Sequence, residues 1–353
     1  MKSTENFIVN KLTGDSKKIL TKINQYILKS PGSSIYHMPE WCDIAEKIFG
    51  KTYSYYYAKN SLGEICGVLP LVNMKSRLFG NYYVSMPYFN YGSAVADVDD
   101  VKRTLIKTAI SDVKSSTSAA HIEFRDHEKW LDDIPVRTDK VTMLLDLPDT
   151  ISQLQKGFGS KIRAQIKRPI REGVYHKIGG IELLNDFYAV FSRNMRDLGT
   201  PVYPECFFSE ILNRFPDNAY IVVVYIQNVA VAACYLVKYR EMMEIPWAST
   251  VREYNRYGVN MYMYSIVLEF AIEQKCKNFD FGRSSKGSGT YRFKKQWGAK
   301  EKQLYWYYWL RNDREIPILN HKNKKYKILI EAWKRLPVSV ANSIGPHIIK
   351  HLP

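Results

Sequence analysis

Cysteine is scarce and scattered: Cys42, Cys66, Cys206, Cys234 and Cys276 include no CxxC pair. That spacing argues against a disulfide framework and fits a reducing compartment. The histidines, His37, His121, His127, His176, His321, His347 and His351, show no HxxxH or HExxH spacing, so no metal site is expected. No apolar run reaches the roughly 18 residues of a membrane-spanning helix. Met1 to Asn10 lacks the apolar centre of a secretory leader, so a cytoplasmic protein is expected. Acidic residues are also in deficit, 35 against 51 lysines and arginines, for a net charge of +16. The surplus points to acidic partners, whether nucleotide sugars, polyprenyl phosphates, CoA, tRNA or an anionic membrane, and does not choose among them.

What the chain does have is length and apolar content. At 353 residues with 46% hydrophobic residues it can bury two cores. The spacing predicts a helix over residues 16–29 and another from Pro39 to Gly50, then a hairpin of Tyr53–Ala58 and Ile65–Val72 around Asn60–Gly63. The aromatic stretch Tyr82–Ser93 is too irregular for a plain strand and either lines a cleft or packs. A helix over Val101–Val113 precedes a strand, Ala120–Arg125, in which His121, Glu123 and Arg125 share one face. That face is either solvated or borders a cleft. Val141–Leu147 reads as a strand closing the first half.

Lys156–Gly173 holds six basic residues and one acid and reads as a helix limited by Pro169, suited to phosphate binding or to a solvated basic face. The second half repeats the first in outline: a helix over Ile181–Leu198, then a hairpin of Tyr220–Tyr225 and Val229–Val237 around Gln227-Asn228. Arg196-Asp-Leu-Gly-Thr-Pro-Val-Tyr203 ends that helix, and Arg196 and Asp197, as sequence neighbours, are expected to take separate partners. A strand over Met242–Thr250 and a long helix over Gly258–Gln274 follow, then a closing strand over Leu304–Leu310. From Arg311 to Pro353 there are nine basic and three acidic residues, read as two short amphipathic helices split at Pro337. These either pack or dock on an anionic membrane.

The stretch from Asn278 to Ala299 has the shape of a site. Phe279 and Phe281 alternate with Asp280 as on a strand end, and Gly282 to Gly289 reads as a loop of accessible backbone N–H groups. Thr290 is placed as the N-cap of a short helix, with Tyr291, Lys294 and Lys295 on one face and Phe293 and Trp297 on the other. Such an element suits negative charge on an acyl-transfer intermediate or a phosphate. The alternative is a basic surface turn with aromatic packing.

Asp280-Phe-Gly-Arg-Ser284, Gly289-Thr-Tyr-Arg-Phe-Lys-Lys-Gln-Trp-Gly-Ala299 and Asn194-Met-Arg-Asp-Leu-Gly-Thr-Pro-Val-Tyr203 resemble signatures of the Fem-type acyltransferases. The similarity is to the FemAB-related branch found beside bacterial exopolysaccharide and exosortase (PEP-CTERM) loci, and it runs from about Trp41 to the C-terminus. It implies a mixed α/β chain with tandem GNAT-like (BioF2-like) domains. The expected divisions are 1–150, a basic connecting helix 151–175, a second domain 176–312 with the signature loop, and a basic helical tail 313–353.

The resemblance implies aminoacyl or acyl transfer to an amine of a phosphorylated or lipid-linked sugar of the cell envelope. The donor is then aminoacyl-tRNA or acyl-CoA as a co-substrate, with no tightly bound cofactor. Lys294 matches the lysine of the family's Phe-Lys-x-x-aromatic-Gly motif and is assigned as the charge-stabilising cation, with Asp280 and Glu123 orienting or accepting a proton. Arg125, in a Glu-x-Arg, and Arg163, in a Lys-x-Arg, join Arg196, Asp197, Tyr203, Trp247, Asn260, Arg283, Ser284 and Tyr291 as substrate-binding candidates. Arg256 and Gly258 are what remains of an Arg/Gln-x-x-Gly-x-Gly/Ala pyrophosphate turn, without its second small residue. Two other readings stand: an acetyl-CoA-dependent N-acetyltransferase acting on an amino sugar, and a non-catalytic basic module recruiting tRNA or a glycan-assembly enzyme to the inner membrane face.

Overall fold

A computed structural model describes residues 6–13, 17–77, 79–130, 134–317 and 324–352, apart from the side chains of residues 313 and 324–327. The chain forms two compact units: Met1–Asp139 with Gln303–Ile318 and His351–Pro353, and Lys140–Lys302 with Leu319–Lys350.

In the first unit, Tyr53–Asn60 pairs antiparallel with Ile65–Asn73, Tyr53 opposite Val72. The sheet runs in the order Phe7–Lys11, Tyr53–Asn60, Ile65–Asn73, Tyr83–Val84, His121–Asp126, Tyr305–Leu310, Val136–Arg137, and Val95–Ala96 also pairs with Ile65–Asn73. Helix Asp99–Ser116 lies close against this sheet. A Cβ at Gly67 would come within 2.9 Å of Leu105 Cδ1 and Val101 Cγ1, so only glycine permits that approach. The aromatic stretch Tyr82–Ser93 packs: Phe89 stacks on Tyr36 at 4.1 Å and meets Trp41 edge-on. Met86 and Tyr88, at φ 59° and 74°, are held left-handed there. Such backbone persists only where surroundings over-determine it. Here Ser85 and Ser93 donate backbone N–H bonds to the carbonyls of Glu123 and Arg125.

The second unit's sheet runs Lys300–Gln303, Lys140–Asp146, Asn278–Ser285, Met242–Thr250, Val229–Tyr239, Ala219–Ile226, Tyr175–Gly179. Two strands lie elsewhere than the sequence order suggests. Lys140–Asp146, read as closing the first half, pairs with Asn278–Ser285, and Tyr305–Leu310, read as closing the second, pairs with His121–Asp126. Each is a hydrophobic strand whose composition carries no record of its partner. Helix Val259–Glu273 is buried along most of its length under this sheet.

The basic segment is not one helix. Ile151–Gly157, capped by Thr150, breaks at Phe158-Gly159, Ser160–Lys167 follows, and Arg168–Glu172 is a 3-10 turn that Pro169 opens. Pro169 has no N–H to give to a continuing α-helix, which tightens the turn. Near the C-terminus, helices Lys324–Trp333 and Val338–Ile349 are separated at Pro337. Ala341, Gly345 and Ile349, spaced by four, form the buried face of the latter. A Cβ at Gly345 would lie 2.8 Å from the backbone nitrogen of Val202. Among the described residues no helix is long and apolar enough to cross a membrane.

This docking predicts that Gly345→Val costs about 1–3 kcal/mol by overpacking. Urea unfolding should show the loss, and trypsin should cut at Lys334 and Arg335 sooner than in the parent.

Candidate functional site

In the second sheet Met242–Thr250 and Asn278–Ser285 are parallel neighbours, and that pair parts early. Met242, Met243 and Glu244 face Asn278, Phe279 and Asp280, and the pairing stops there. Both strands carry an extra residue just beyond this point. On Met242–Thr250 the register against Val229–Tyr239 shifts between Glu244 and Trp247, around Ile245-Pro246. On Asn278–Ser285 the register against Lys140–Asp146 shifts between Asp280 and Arg283, around Phe281-Gly282. Pro246 cannot donate to a ladder, and Gly282 sits at φ +76°, which favours glycine. Bulges bend strands and end pairing. Two facing bulges therefore drive the strands apart.

The bulge at Gly282 is tied from both sides. Asp280 Oδ1 accepts from Thr142 Oγ1 at 2.6 Å and from the Gly282 N–H at 2.7 Å. Lys294, the buried residue of helix Gly289–Gln296, donates Nζ–H bonds to the carbonyls of Gly282 at 2.9 Å and Arg283 at 3.0 Å. Burial pushes the Lys294 ammonium down to about 8, while Asp280 and Glu244 pull the other way. Glu244 was not singled out from sequence. It is 7% exposed, and a lone carboxylate in an otherwise apolar strand was the available signal.

Beyond the point where the strands part lies a cleft of about 530 Å³, between the far end of Met242–Thr250 and the helix that follows Asn278–Ser285. Its wall includes Ala248, Ser249 and Thr250 of one strand, Gly258, Asn260 and Met261 at the start of helix Val259–Glu273, and Gly289, Thr290 and Phe293 of helix Gly289–Gln296. Gln165, Arg168 and Asn194 complete one side, and Asn194 Nδ2 donates to Ser249 Oγ at 3.0 Å. Gly258, at φ +83°, makes the turn into the long helix, and a Cβ there would meet the Gln165 carbonyl at 3.0 Å. The first N–H groups of a helix lack intrahelical partners, so this end of the cleft is suited to an anion. Arg168, Gln165, Asn194, Ser249 and Thr290 were not named as cleft residues: Gln165 and Arg168 lie in the basic segment and Asn194 and Thr290 in the signature stretches, but their spacing does not say which of those side chains face one cleft, and nothing marked Ser249.

The sequence candidates distribute unevenly around this cleft. Asn260 and Gly258 line it, and Lys294 and Asp280 brace the bulge rather than line it. The expected loop from Gly282 is strand to Ser285, and Ser288, not Thr290, caps the following helix by accepting from the Tyr291 N–H. Tyr291 donates to Glu301 Oε2 at 2.7 Å, so it and Lys294 do not act side by side; Lys295 lies over the Tyr291 ring. Arg283 is exposed, and Ser284 is 4% exposed with no partner for its Oγ among the described residues. Arg256 stacks on Tyr257 and lines a second cleft of about 410 Å³ with Arg193, Glu253 and Glu172. Arg163 donates to the Phe158 carbonyl.

Arg196 and Asp197 do pair, Nε to Oδ1 at 2.7 Å, which corrects the expectation of separate partners. The long side chain near the helix end lets one guanidinium reach its neighbour's carboxylate, and its Nη1 also donates to the Leu336 carbonyl at 2.7 Å. Tyr203 and Trp247 pack in an aromatic cluster with Phe207 and Phe208, Trp247 being 9% exposed.

In the first unit, Glu123 and Arg125 are neither solvated nor lining either cleft described above. Arg125 Nε donates to Glu123 Oε1 at 2.6 Å, Tyr308 OH to Glu123 Oε2 at 2.5 Å, and Arg125 Nη1 to the Phe89 carbonyl at 2.6 Å. The guanidinium also lies over Trp306. Burial acts to raise the Glu123 carboxyl, but Arg125 and the Tyr308 hydroxyl outweigh it and hold it below the usual range. No group of three or more His, Cys, Asp or Glu side chains among the described residues could hold a metal.

A mixed sheet whose parallel strands splay over a helix N-terminus defines an N-acyltransferase type of fold, and comparison with known proteins agrees. Residues 160–295 match the model of an acetyltransferase (GNAT) domain. FemX is similar at 14% identity over 86% of this chain and 98% of that one, with a TM-score of 0.63. L-PGS from Bacillus licheniformis is similar at 14% identity over 91% and 98%, with a TM-score of 0.57. A tandem GNAT protein from the clavulanic acid biosynthesis pathway is similar at 10% identity over 88% and 100%, with a TM-score of 0.51. No curated protein matches the chain in sequence. The chain has a tandem GNAT fold, with an acetyltransferase-type (GNAT) domain over residues 160–295.

The buried Glu123–Arg125 pair predicts that Arg125→Met destabilises by about 3–5 kcal/mol, because it strands a carboxylate away from water. Adding Glu123→Gln should recover part of the loss in a urea double-mutant cycle.

Proposed function

We propose that the cleft between the splayed strands is the acyl-donor site of an N-acyltransferase, acting on an amine of a phosphorylated or lipid-linked sugar of the cell envelope or an exopolysaccharide. The observation that carries this is the pair of facing bulges, which opens a cleft ending on the start of helix Val259–Glu273. A phosphate of the donor rests on the N–H groups there, beside Asn260, with Arg168 at the rim. The acceptor nitrogen attacks the acyl carbon, the C–N bond forms, and the bond to the donor's oxygen or sulfur breaks. The proton lost by the amine ends on that leaving group.

Lys294 acts from behind the strand. It fixes the two carbonyls that set the bulge and adds positive field near the place where oxyanion charge develops. Aminoacyl-tRNA is the favoured donor: the +16 charge suits a polyanion, and Arg256, the residue left from a pyrophosphate turn, lines the other cleft. Acyl-CoA is the second reading, supported by Gly258 at the helix start within the cleft.

Asn260→Asp separates binding from folding. A carboxylate in the first turn of a helix is neutral to stabilising for the fold, yet it repels an anion bound there. Titration with charged tRNA and with acetyl-CoA, at several salt concentrations, should show about tenfold weaker binding of the true donor, since one like charge amounts to about 1.4 kcal/mol at a partly exposed site. Unchanged affinity for both donors would sink the assignment of the cleft.

Lys294 gives a pH signature. Its ammonium holds the proton below about pH 8 and loses it above, so a rate that depends on its charge falls as pH rises through 8. Lys294→Arg keeps the charge at every accessible pH. Its profile should lose that falling limb, whatever its absolute rate.

A further inference from the structure

The helical pair near the C-terminus is half docked and half bare. While Ala341, Gly345 and Ile349 face inward, Val340 and Ile344, also four apart, are 38% and 43% exposed. On the preceding helix Ile328 and Leu329 are 69% and 64% exposed. Ile330, between them and the Pro337 break, is the residue that closes on Gly199, and Leu198 beside that glycine is itself 59% exposed. Single exposed apolar residues need no explanation, but several within one short helical pair and its contact do.

The charge around them is one-sided. From Lys322 to Pro353 the sequence has seven lysines and arginines and one acid, Glu331, which pairs with Lys334. We propose that this helical pair docks on an anionic lipid surface, Ile328, Leu329 and Ile344 entering the headgroup boundary while Lys334, Arg335 and Lys350 meet lipid phosphates. An amphipathic face with basic flanks binds that way through buried apolar area plus charge attraction. A second copy of the chain is the poorer occupant, since a symmetric contact would bring the same basic flanks together.

The full-length protein is mixed with phosphatidylcholine vesicles, with and without phosphatidylglycerol, and pelleted at low and high salt. Binding is expected only with the anionic lipid and should weaken with salt. Combined Ile328→Ser, Leu329→Ser and Ile344→Ser should reduce partitioning by about tenfold or more, given the apolar area removed. Ile181→Ser, an exposed change at the other end of helix Leu184–Leu198, should not. The substituted positions are at the surface, so cooperative unfolding should match the parent. Equal pelleting of parent and triple variant, or no binding to anionic vesicles, overturns the proposal. A concentration-dependent dimer that the triple variant abolishes assigns the face to a second copy instead.

Discussion

Two bulges at one level, Ile245-Pro246 and Phe281-Gly282, decide where the second sheet opens. A parallel pair that continued past Glu244 and Asp280 would close the gap with backbone hydrogen bonds, and no cleft would exist. An open sheet interior leaves polar backbone to be satisfied some other way. Asp280 takes the Gly282 N–H, and Lys294 takes the Gly282 and Arg283 carbonyls. The signature residues at this point are therefore the fastening of the opening, and the helix that carries Lys294 also supplies Gly289, Thr290 and Phe293 to the cleft wall.

That fastening is held at a cost. Lys294 would keep its proton to its ordinary value of 10.5 when unfolded, but only to about 8 when folded. The unfolded chain thus binds more protons between those values, and this group's contribution to stability rises with pH across that window. At neutral pH the buried ammonium opposes folding, and a methionine would fill the space without that penalty. Charge retained under these terms points to a role for the charge itself. Glu123 shows the opposite balance. Its carboxyl is held low by Arg125 and Tyr308, so the pair contributes to stability above the ordinary carboxylate range and loses that contribution as pH falls through the depressed value.

Much of the fold was legible in local pattern. The hairpin at Tyr53 to Val72, the helix from Val259 and the break at Pro337 follow from alternation, fourfold spacing and proline chemistry. Strand exchange was not legible. Lys140–Asp146 and Tyr305–Leu310 are apolar strands whose partners are chosen by long-range packing, and sequence adjacency suggested the wrong sheet for both. The site was legible as a region, and the direction in which its side chains point was not. Phe-Lys-Lys-Gln-Trp-Gly drew attention to Lys294, but spacing on a helix does not say whether an ammonium turns outward to a ligand or inward to two carbonyls. Pro246 in a strand and Glu244 among methionines and isoleucine were the overlooked signs, since each is costly there without a special backbone.

The surplus of positive charge and the chemistry of the cleft belong to different tasks. Cleft-lining side chains such as Asn194, Ser249, Asn260 and Thr290 are neutral, and Arg168 is the only basic group among the lining residues. An anion entering the cleft would therefore meet chiefly oriented dipoles and backbone N–H groups, which have short range and are little affected by salt. The exposed Lys161, Arg163, Lys167 and Arg171 on the adjoining segment act at distances up to a Debye length and are screened as salt rises. A polyanionic donor would feel both contributions and a small one chiefly the first. On the proposed function, the donor's size would show in how its binding responds to salt, independently of any single side chain.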